Sequence, residues 1–80
     1  MKPRALPLGD KNSVGAKVTK LRKQQRMKQK ELLARLQVEG IDISATGLSN
    51  LEGQTRSVSA EELRALAKIF NVTMDELFVD

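Results

Sequence analysis

The sequence predicts an all-α domain of five short helices, because three kinds of signal recur along it. Apolar residues return at intervals of three and four, which is the period of one face of a helix. Residues that cap helices precede these runs, and glycine or asparagine follows them. The chain has 80 residues, enough for one core and too few for two independently folding domains. We therefore expect a flexible N-terminal arm at 1–12 and one helical domain at 13–80.

The first two predicted helices each carry one apolar stripe. The first begins after Asn12 or Ser13, whose side chains can accept hydrogen bonds from backbone amides, and it ends near Gln25. The second covers about 29–38. The residues expected to face inward are Val14, Val18, Leu21, Met27, Leu32, Leu33 and Leu36.

A connection with two isoleucines leads to the third predicted helix. Gly40 ends the second helix as a left-handed cap, and Ile41 and Ile43 continue as a short extended segment. Ser44 is the N-cap of the third helix, which ends near Gly53. At 100° per residue, this helix turns inward Leu48 and Leu51 and turns outward Thr46, Ser49, Asn50 and Gly53.

Two capping boxes mark the last two predicted helices. Ser59 and Glu62 have the spacing of a capping box and open the fourth helix, which Asn71 ends. Thr73 and Glu76 repeat that spacing and predict a fifth, short helix. The expected inward residues are Leu63, Leu66, Ala67, Phe70 and Leu77.

Charge is distributed unevenly along the chain. Residues 1–35 contain 11 Lys or Arg and 2 Asp or Glu, a net charge of +9, whereas residues 36–80 contain 3 and 8, a net charge of −5. A basic region of this kind attracts a polyanion, although ordinary solvated helix surface gives the same pattern.

The composition excludes several classes of function. The chain has no histidine or cysteine, so a Cys/His zinc site, a thiolate nucleophile and a Ser-His-Asp triad are impossible, and we expect neither an enzyme nor a cofactor. Two phenylalanines are the only aromatic residues, too few for the stacking that holds single-stranded nucleic acid. Double-stranded nucleic acid is not excluded by this composition.

The sequence has no signal-peptide core and no window approaching the roughly 20 apolar residues that span a bilayer. We therefore expect a cytoplasmic location.

Several short motifs occur in a fixed order along most of the chain. They are Lys20-Leu21-Arg22-Lys23, Gln29-Lys30-Glu31-Leu32, Ile43-Ser44 with Leu48-Ser49-Asn50-Leu51-Glu52, Leu66-Ala67-Lys68-Ile69-Phe70-Asn71-Val72 and Asp75-Glu76-Leu77-Phe78. Together they resemble the lambda-repressor/Cro-like helix-turn-helix family, also called the XRE family, of bacterial and phage DNA-binding domains. The resemblance implies that the second and third helices form the helix-turn-helix and that the third enters the major groove.

The resemblance implies a base-reading surface on the third helix. Asn50 has the strongest chemistry there, because its amide can bond bidentately to adenine. Thr46 can offer a methyl group or a hydroxyl group. The alternative is an ordinary polar face on a solvated helix. The expected base-reading residues are Ala45, Thr46, Ser49 and Asn50.

The resemblance also implies phosphate contacts and one scaffold ion pair. Gln29 matches the glutamine that opens the family's second helix and bonds a DNA phosphate, where helix-terminal amides also favour an anion. The lysines around it add sequence-independent attraction, or are merely solvated. Arg22 and Glu52 match a pair that joins the first helix to the third. The expected phosphate contacts are Gln29, Lys28, Lys17, Lys23, Lys30, Arg56 and Ser57, with Lys20 and Arg26 nearby.

The sequence departs from the family pattern in places that bear on binding. The connection at 37–42 is about five residues longer than usual, and we expect its isoleucines to anchor it in the core. The third helix has no Lys, Arg or Gln, so guanine reading is weak. Lys28 stands where a hydroxyl cap is usual, and Arg26 stands where glycine is frequent.

The expected function is a sequence-specific double-stranded DNA-binding transcriptional regulator, a repressor of bacterial, phage or plasmid type. We expect a homodimer on a palindromic site. The candidate dimer contacts are Met74, Leu77, Phe78 and Val79, with core packing as the alternative for Leu77 and Phe78. The competing hypothesis is a protein-interaction module, an antitoxin or an adaptor, that keeps the fold. The segment Lys2-Pro3-Arg4 can enter a minor groove or remain disordered.

Overall fold

A computed structural model describes residues 12–78 of the chain. Within that range four α-helices and one 3₁₀ helix follow one another, with no strand among them. They are α1 (Gly15–Gln24), α2 (Gln29–Val38), α3 (Ala45–Glu52), α4 (Ala60–Phe70) and the 3₁₀ helix Asp75–Phe78. No helix of this part of the chain is both long enough and apolar enough to cross a bilayer. The predicted arm lies outside the described residues except for Asn12.

The prediction of five α-helices is wrong in its last element. The segment that Thr73 opens is a single 3₁₀ turn, in which the Leu77 amide bonds to the carbonyl of Met74 three residues earlier. Thr73 still caps it, because its hydroxyl accepts from the Glu76 amide at 3.2 Å. Four residues are too few for a repeating ladder of α-helical bonds, which is why the tighter turn forms.

One core fills the space between the helices, and the residues predicted to face inward supply it. Each of them is buried or packs against the buried cluster. Leu77, also considered as a dimer contact, is fully buried and belongs to this core. Met74 and Phe78 are exposed, and Val79 lies outside the described residues. Burying one leucine or valine side chain contributes roughly 1.5–3 kcal/mol, so the shared core is the main source of stability.

The helix ends follow the predicted capping residues. The Asn12 carboxamide oxygen accepts from the amides of Val14 and Gly15 at the start of α1. Ser44 accepts from the third residue of α3 at 3.0 Å, and Ser59 forms a full capping box at α4. Gly40 has φ +86°, the left-handed conformation that its cap position was predicted to require.

The long connection between α2 and α3 is anchored in the core, as predicted. Ile43 is buried and Ile41 packs against the core cluster. The Ile41 amide donates a hydrogen bond to the carbonyl of Leu36, and the Gln37 side chain donates to the Ile43 carbonyl at 3.3 Å. Because these contacts fix the connection at both ends, α3 has a defined position in spite of the extra residues.

The start of α1 lies directly against the end of α3. A Cβ atom added at Gly15 would overlap the carbonyl oxygen of Leu51, so only glycine allows this approach. The Asn12 amide nitrogen bridges the carbonyls of Leu51 and Arg56 at 3.0 and 2.8 Å. The Gln54 side chain closes the junction by donating to the Asn12 carbonyl. These contacts fix the C-terminal end of α3.

Candidate nucleic-acid interface

The four residues predicted to read bases lie on one exposed face of α3. The opposite face carries Leu48 and Leu51, which have no exposed surface. The side chains of Thr46 and Asn50 form no hydrogen bond within residues 12–78, so their polar atoms can bond a ligand. The exposed residues are Ala45, Thr46, Ser49 and Asn50.

Gln29 connects this face to the interior. Its side-chain oxygen accepts a hydrogen bond from the Ser49 hydroxyl at 3.2 Å. Its side-chain nitrogen donates to the Glu52 carboxylate, also at 3.2 Å. The predicted phosphate contact and one predicted base-reading residue therefore belong to one hydrogen-bonded chain. The hydroxyl proton of Ser49 is already used, so this residue offers a ligand mainly an acceptor.

Arg22 and Glu52 form an ion pair between α1 and the end of α3. The guanidinium bonds both carboxylate oxygens, at 2.9 and 3.1 Å, and also donates to the carbonyl of Met27. Glu52 is 6% exposed and accepts further bonds from Thr19 and Gln29. Such a buried pair is stable only because its donors and acceptors are matched, so loss of one partner leaves a buried charge unpaired.

The N-termini of α2 and α3 adjoin at the edge of the exposed face. Ala45 lines a hollow of about 120 Å³ together with Gln29 and Lys30. The Lys28 ammonium cannot accept a hydrogen bond, so the side chain of this N-cap residue does not cap the first amides of α2. Its backbone amide donates to the Glu31 carboxylate at 3.3 Å. The amides of Gln29 and Lys30 have no acceptor within residues 12–78. Free amides at a helix N-terminus favour an anion.

Six cations lie on α1, in the turn that follows it and at the start of α2. None of them forms an ion pair within the part of the chain that the structure describes. Lys17 is half-buried and the others are exposed. Arg26 has φ +54°, a conformation unusual for a residue other than glycine. The group comprises Lys17, Lys20, Lys23, Arg26, Lys28 and Lys30.

Arg56, predicted to contact phosphate, has its donors engaged within the protein. Its Nε donates to the carbonyl of Gly47 in α3 at 2.9 Å, and its terminal nitrogens bond both oxygens of Glu62 at 3.1 and 2.6 Å. A further bond joins it to the carbonyl of Ser57, whose own side chain is exposed. A phosphate contact by Arg56 stays a prediction, and these bonds weigh against it. The bonds instead tie the middle of α3 to the start of α4.

The bond from Arg56 also governs the ionisation of Glu62. It lowers the pKa of the Glu62 carboxyl below the ordinary 4.5, burial of that carboxyl opposes the effect, and the bond from the Ser59 amide assists it. Glu62 therefore serves the capping box and the ion pair together.

Several supporting contacts were not identified from the sequence. Thr19 bonds Glu52 from 33 positions away, and Asn12 reaches Arg56 across 44 positions. Arg56 and Glu62 are six positions apart with a helix start between them, so no helical spacing indicates their contact. Residues 12–78 contain no cluster of acidic residues able to hold a metal ion.

Comparison with known families identifies the kind of domain that this chain resembles. Residues 17–80 match a family model described as the Cro/C1-type HTH DNA-binding domain. The match includes most of α1 and all of α2, α3 and α4. No match was found among curated proteins or among solved structures.

Proposed function

The chain belongs to the Cro/C1-type helix-turn-helix family of DNA-binding domains, and we propose that it is a sequence-specific regulator of transcription that reads double-stranded DNA with the exposed face of α3. The observation that carries the proposal is the position of Thr46 and Asn50. Both side chains are exposed and both lack a partner within residues 12–78. They share the exposed face of α3 with Ala45 and Ser49, which lie against the N-terminus of α2.

In this proposal Asn50 is the main residue that contacts bases, and Thr46 and Ala45 contact bases beside it. In a major groove the Asn50 amide accepts from adenine N6 and donates to N7, a pairing that discriminates by about 1–3 kcal/mol. The methyl groups of Thr46 and Ala45 suit the methyl group of thymine. Ser49 contributes less, because its hydroxyl already donates to Gln29. The proposal therefore favours sites rich in A·T pairs.

Phosphate binding falls to the N-terminus of α2 and its cations. The free amides of Gln29 and Lys30 and the ammonium of Lys28 form one anion-binding end. Each phosphate neutralised by a cation contributes about 0.9 to the slope of log affinity against log salt concentration. Arg56 is left out of this set, because Glu62 neutralises its charge.

A single copy reads few base pairs, since α3 carries no arginine or lysine for guanine. We therefore propose a homodimer that binds a palindromic site and represses by occlusion, without catalysing a reaction. Regulation of this kind occurs where the DNA is, which in a bacterial host is the cytoplasm.

Selection from a random duplex DNA library, at near-physiological salt, tests the proposal. We expect enrichment of a palindromic motif with half-sites about one helical turn apart. Recovery of unenriched DNA would contradict sequence specificity and leave only electrostatic binding. Recovery of no DNA would overturn the proposal in favour of a protein-interaction module.

A further inference from the structure

The helix proposed to read bases has little stability of its own. The helix α3 has eight residues and contains Gly47 near its middle. An isolated helix of this length is marginal at best in water, and glycine is a poor helix former. The orientation of its exposed face therefore depends on the contacts that α3 makes with the rest of the domain.

The two halves of α3 are held from different sides. Side chains of α1 and α2 bond Ser49 and Glu52, which lie in the C-terminal half. The N-terminal half is bonded by Arg56, whose Nε donates to the carbonyl of Gly47 at 2.9 Å. Apart from the helix's own N-cap, Ser44, this is the only side chain within residues 12–78 that bonds this half. The loop after α3 thus completes the support of the helix.

The start of α4 fixes the same guanidinium. Its terminal nitrogens bond both carboxylate oxygens of Glu62, at 3.1 and 2.6 Å, and one of them also donates to the carbonyl of Ser57 at 2.7 Å. Together with the bond to Gly47, these contacts use four of the five N–H groups of Arg56. A planar group bonded in this way cannot turn without losing several bonds, so it fixes α3 relative to the start of α4.

We propose that Arg56 and Glu62 are positioning residues for base reading, and that neither of them contacts DNA. Through the carbonyl of Gly47 they hold α3 in the orientation that recognition requires. Thr46 and Asn50 lie within one turn of Gly47, so a shift of this part of the helix moves both side chains. The inference rests on the proposed function and deepens it by adding residues that determine specificity from behind the interface.

The alternative is a direct contact between Arg56 and a DNA phosphate. The Arg56 side chain is 29% exposed, and the Glu62 carboxylate already neutralises it. The two roles predict opposite results when Glu62 loses its charge. A guanidinium released for phosphate binding would strengthen binding to every duplex alike, whereas a positioning residue without its partner would discriminate less between duplexes.

The ratio of affinities for the duplex obtained by library selection and for a scrambled duplex, measured with the full chain over a salt titration, tests the inference. Arg56→Lys keeps the charge but loses the planar fork that bonds Gly47 and Glu62 together. We expect it to lower the ratio by about tenfold and to leave the salt slope unchanged. Glu62→Gln keeps a side chain suited to the capping box but loses the charge, and should lower the ratio by about threefold. Partial unfolding weakens binding to both duplexes by the same factor, so it does not change the ratio.

The matched controls are Arg64→Lys and Glu61→Gln. Both residues are exposed in α4 and form no ion pair within residues 12–78, so neither substitution should change the ratio. An unchanged ratio in Arg56→Lys would overturn the inference. Equal strengthening of both duplexes by Glu62→Gln would also overturn it and would favour Arg56 as a phosphate contact.

Amide hydrogen exchange of the unbound protein tests the positioning of α3 without DNA. In Arg56→Lys we expect the amides of α3 to exchange about tenfold faster, while those of α2 keep their rates. Equal acceleration in both helices would show a general loss of stability and overturn the inference. Failure of the library selection would not affect this measurement, so failure of the proposed function and failure of this inference are distinguishable.

Discussion

The hydroxyl of Ser49 donates a hydrogen bond to the side-chain oxygen of Gln29 at 3.2 Å, across the gap between α3 and the N-terminus of α2. Gln29 continues the chain by donating to Glu52, whose charge Arg22 neutralises. The proposed phosphate-binding end of α2 and the proposed base-reading face of α3 are therefore held in one orientation by a network that ends in a buried ion pair.

Removal of one partner of the ion pair between Arg22 and Glu52 should strongly destabilise the domain. In Arg22→Ala the Glu52 carboxylate remains buried without its main partner, and we expect the free energy of unfolding to fall by about 3–5 kcal/mol. Urea denaturation followed by circular dichroism measures this change. Arg35→Ala removes an exposed arginine that has no ion pair within residues 12–78, and it should change the same quantity by less than about 0.5 kcal/mol. Equal effects of the two substitutions would show that the pair is dispensable.

The close approach of α1 to α3 should make Gly15 intolerant of even one methyl group. In Gly15→Ala the new Cβ meets the backbone carbonyl of Leu51, which cannot turn aside, so we expect a loss of about 1–3 kcal/mol or more in unfolding free energy. Gly47→Ala is the matched control, because this helical glycine has only side-chain atoms near the added Cβ, at 3.3 Å. It should be neutral or slightly stabilising. Thermal unfolding that leaves Gly15→Ala as stable as Gly47→Ala would contradict the packing.

Local features of the sequence were enough to predict most of the fold. The apolar stripes predicted the core, and Ser44, Ser59, Gly40 and Asn71 predicted where helices begin and end. These signals are local, since a cap or a stripe acts within a few residues of itself. The last element was predicted wrongly because a capping spacing shows where a turn opens, not whether it continues as an α-helix.

The site could be predicted only in part. The exposed face of α3 follows from helical geometry, and the pairing of Arg22 with Glu52 came from resemblance to a family. The bonds of Arg56 to Gly47 and Glu62 could not be foreseen, because they depend on how the loop after α3 folds back. The close contact between Gly15 and Leu51 is not indicated by any periodic pattern in the sequence either.

Ionisation of Glu62 should make the stability of the fold depend on pH. The Arg56 guanidinium lowers the pKa of the folded-state carboxyl, so ionised Glu62 stabilises the fold above the unfolded value of 4.5, and this contribution is lost as the pH falls through the lower folded value. We expect Glu62→Gln to be less stable than the unaltered protein at neutral pH, with the difference shrinking as the pH falls below about 4.5. Glu76→Gln, at an exposed carboxylate, controls for the change in net charge. A stability difference that stays constant across this range would contradict the prediction.

Replacement of Arg26 by glycine should have opposite effects on the stability of the fold and on DNA binding. Its positive φ favours glycine, so Arg26→Gly should raise the free energy of unfolding by about 1 kcal/mol, whereas Arg26→Ala should not. If the guanidinium contacts phosphate in each copy of the homodimer, both variants should weaken binding to every duplex alike and lower the salt slope by about 2. Thermal unfolding and a salt titration separate the two effects. Unchanged binding in both variants would remove Arg26 from the interface.

The most direct test of base reading by α3 is the ratio of affinities for the selected duplex and a scrambled duplex, measured over a salt titration for two variants. Asn50→Ala should reduce this ratio by about a hundredfold, since one bidentate pair is lost in each half-site of the proposed homodimer, and should leave the salt slope unchanged. Lys28→Ala should weaken both duplexes equally and lower the slope by about 2, since each copy loses one cation. A ratio that Asn50→Ala leaves intact, with both duplexes bound equally more weakly, would contradict base reading by this helix.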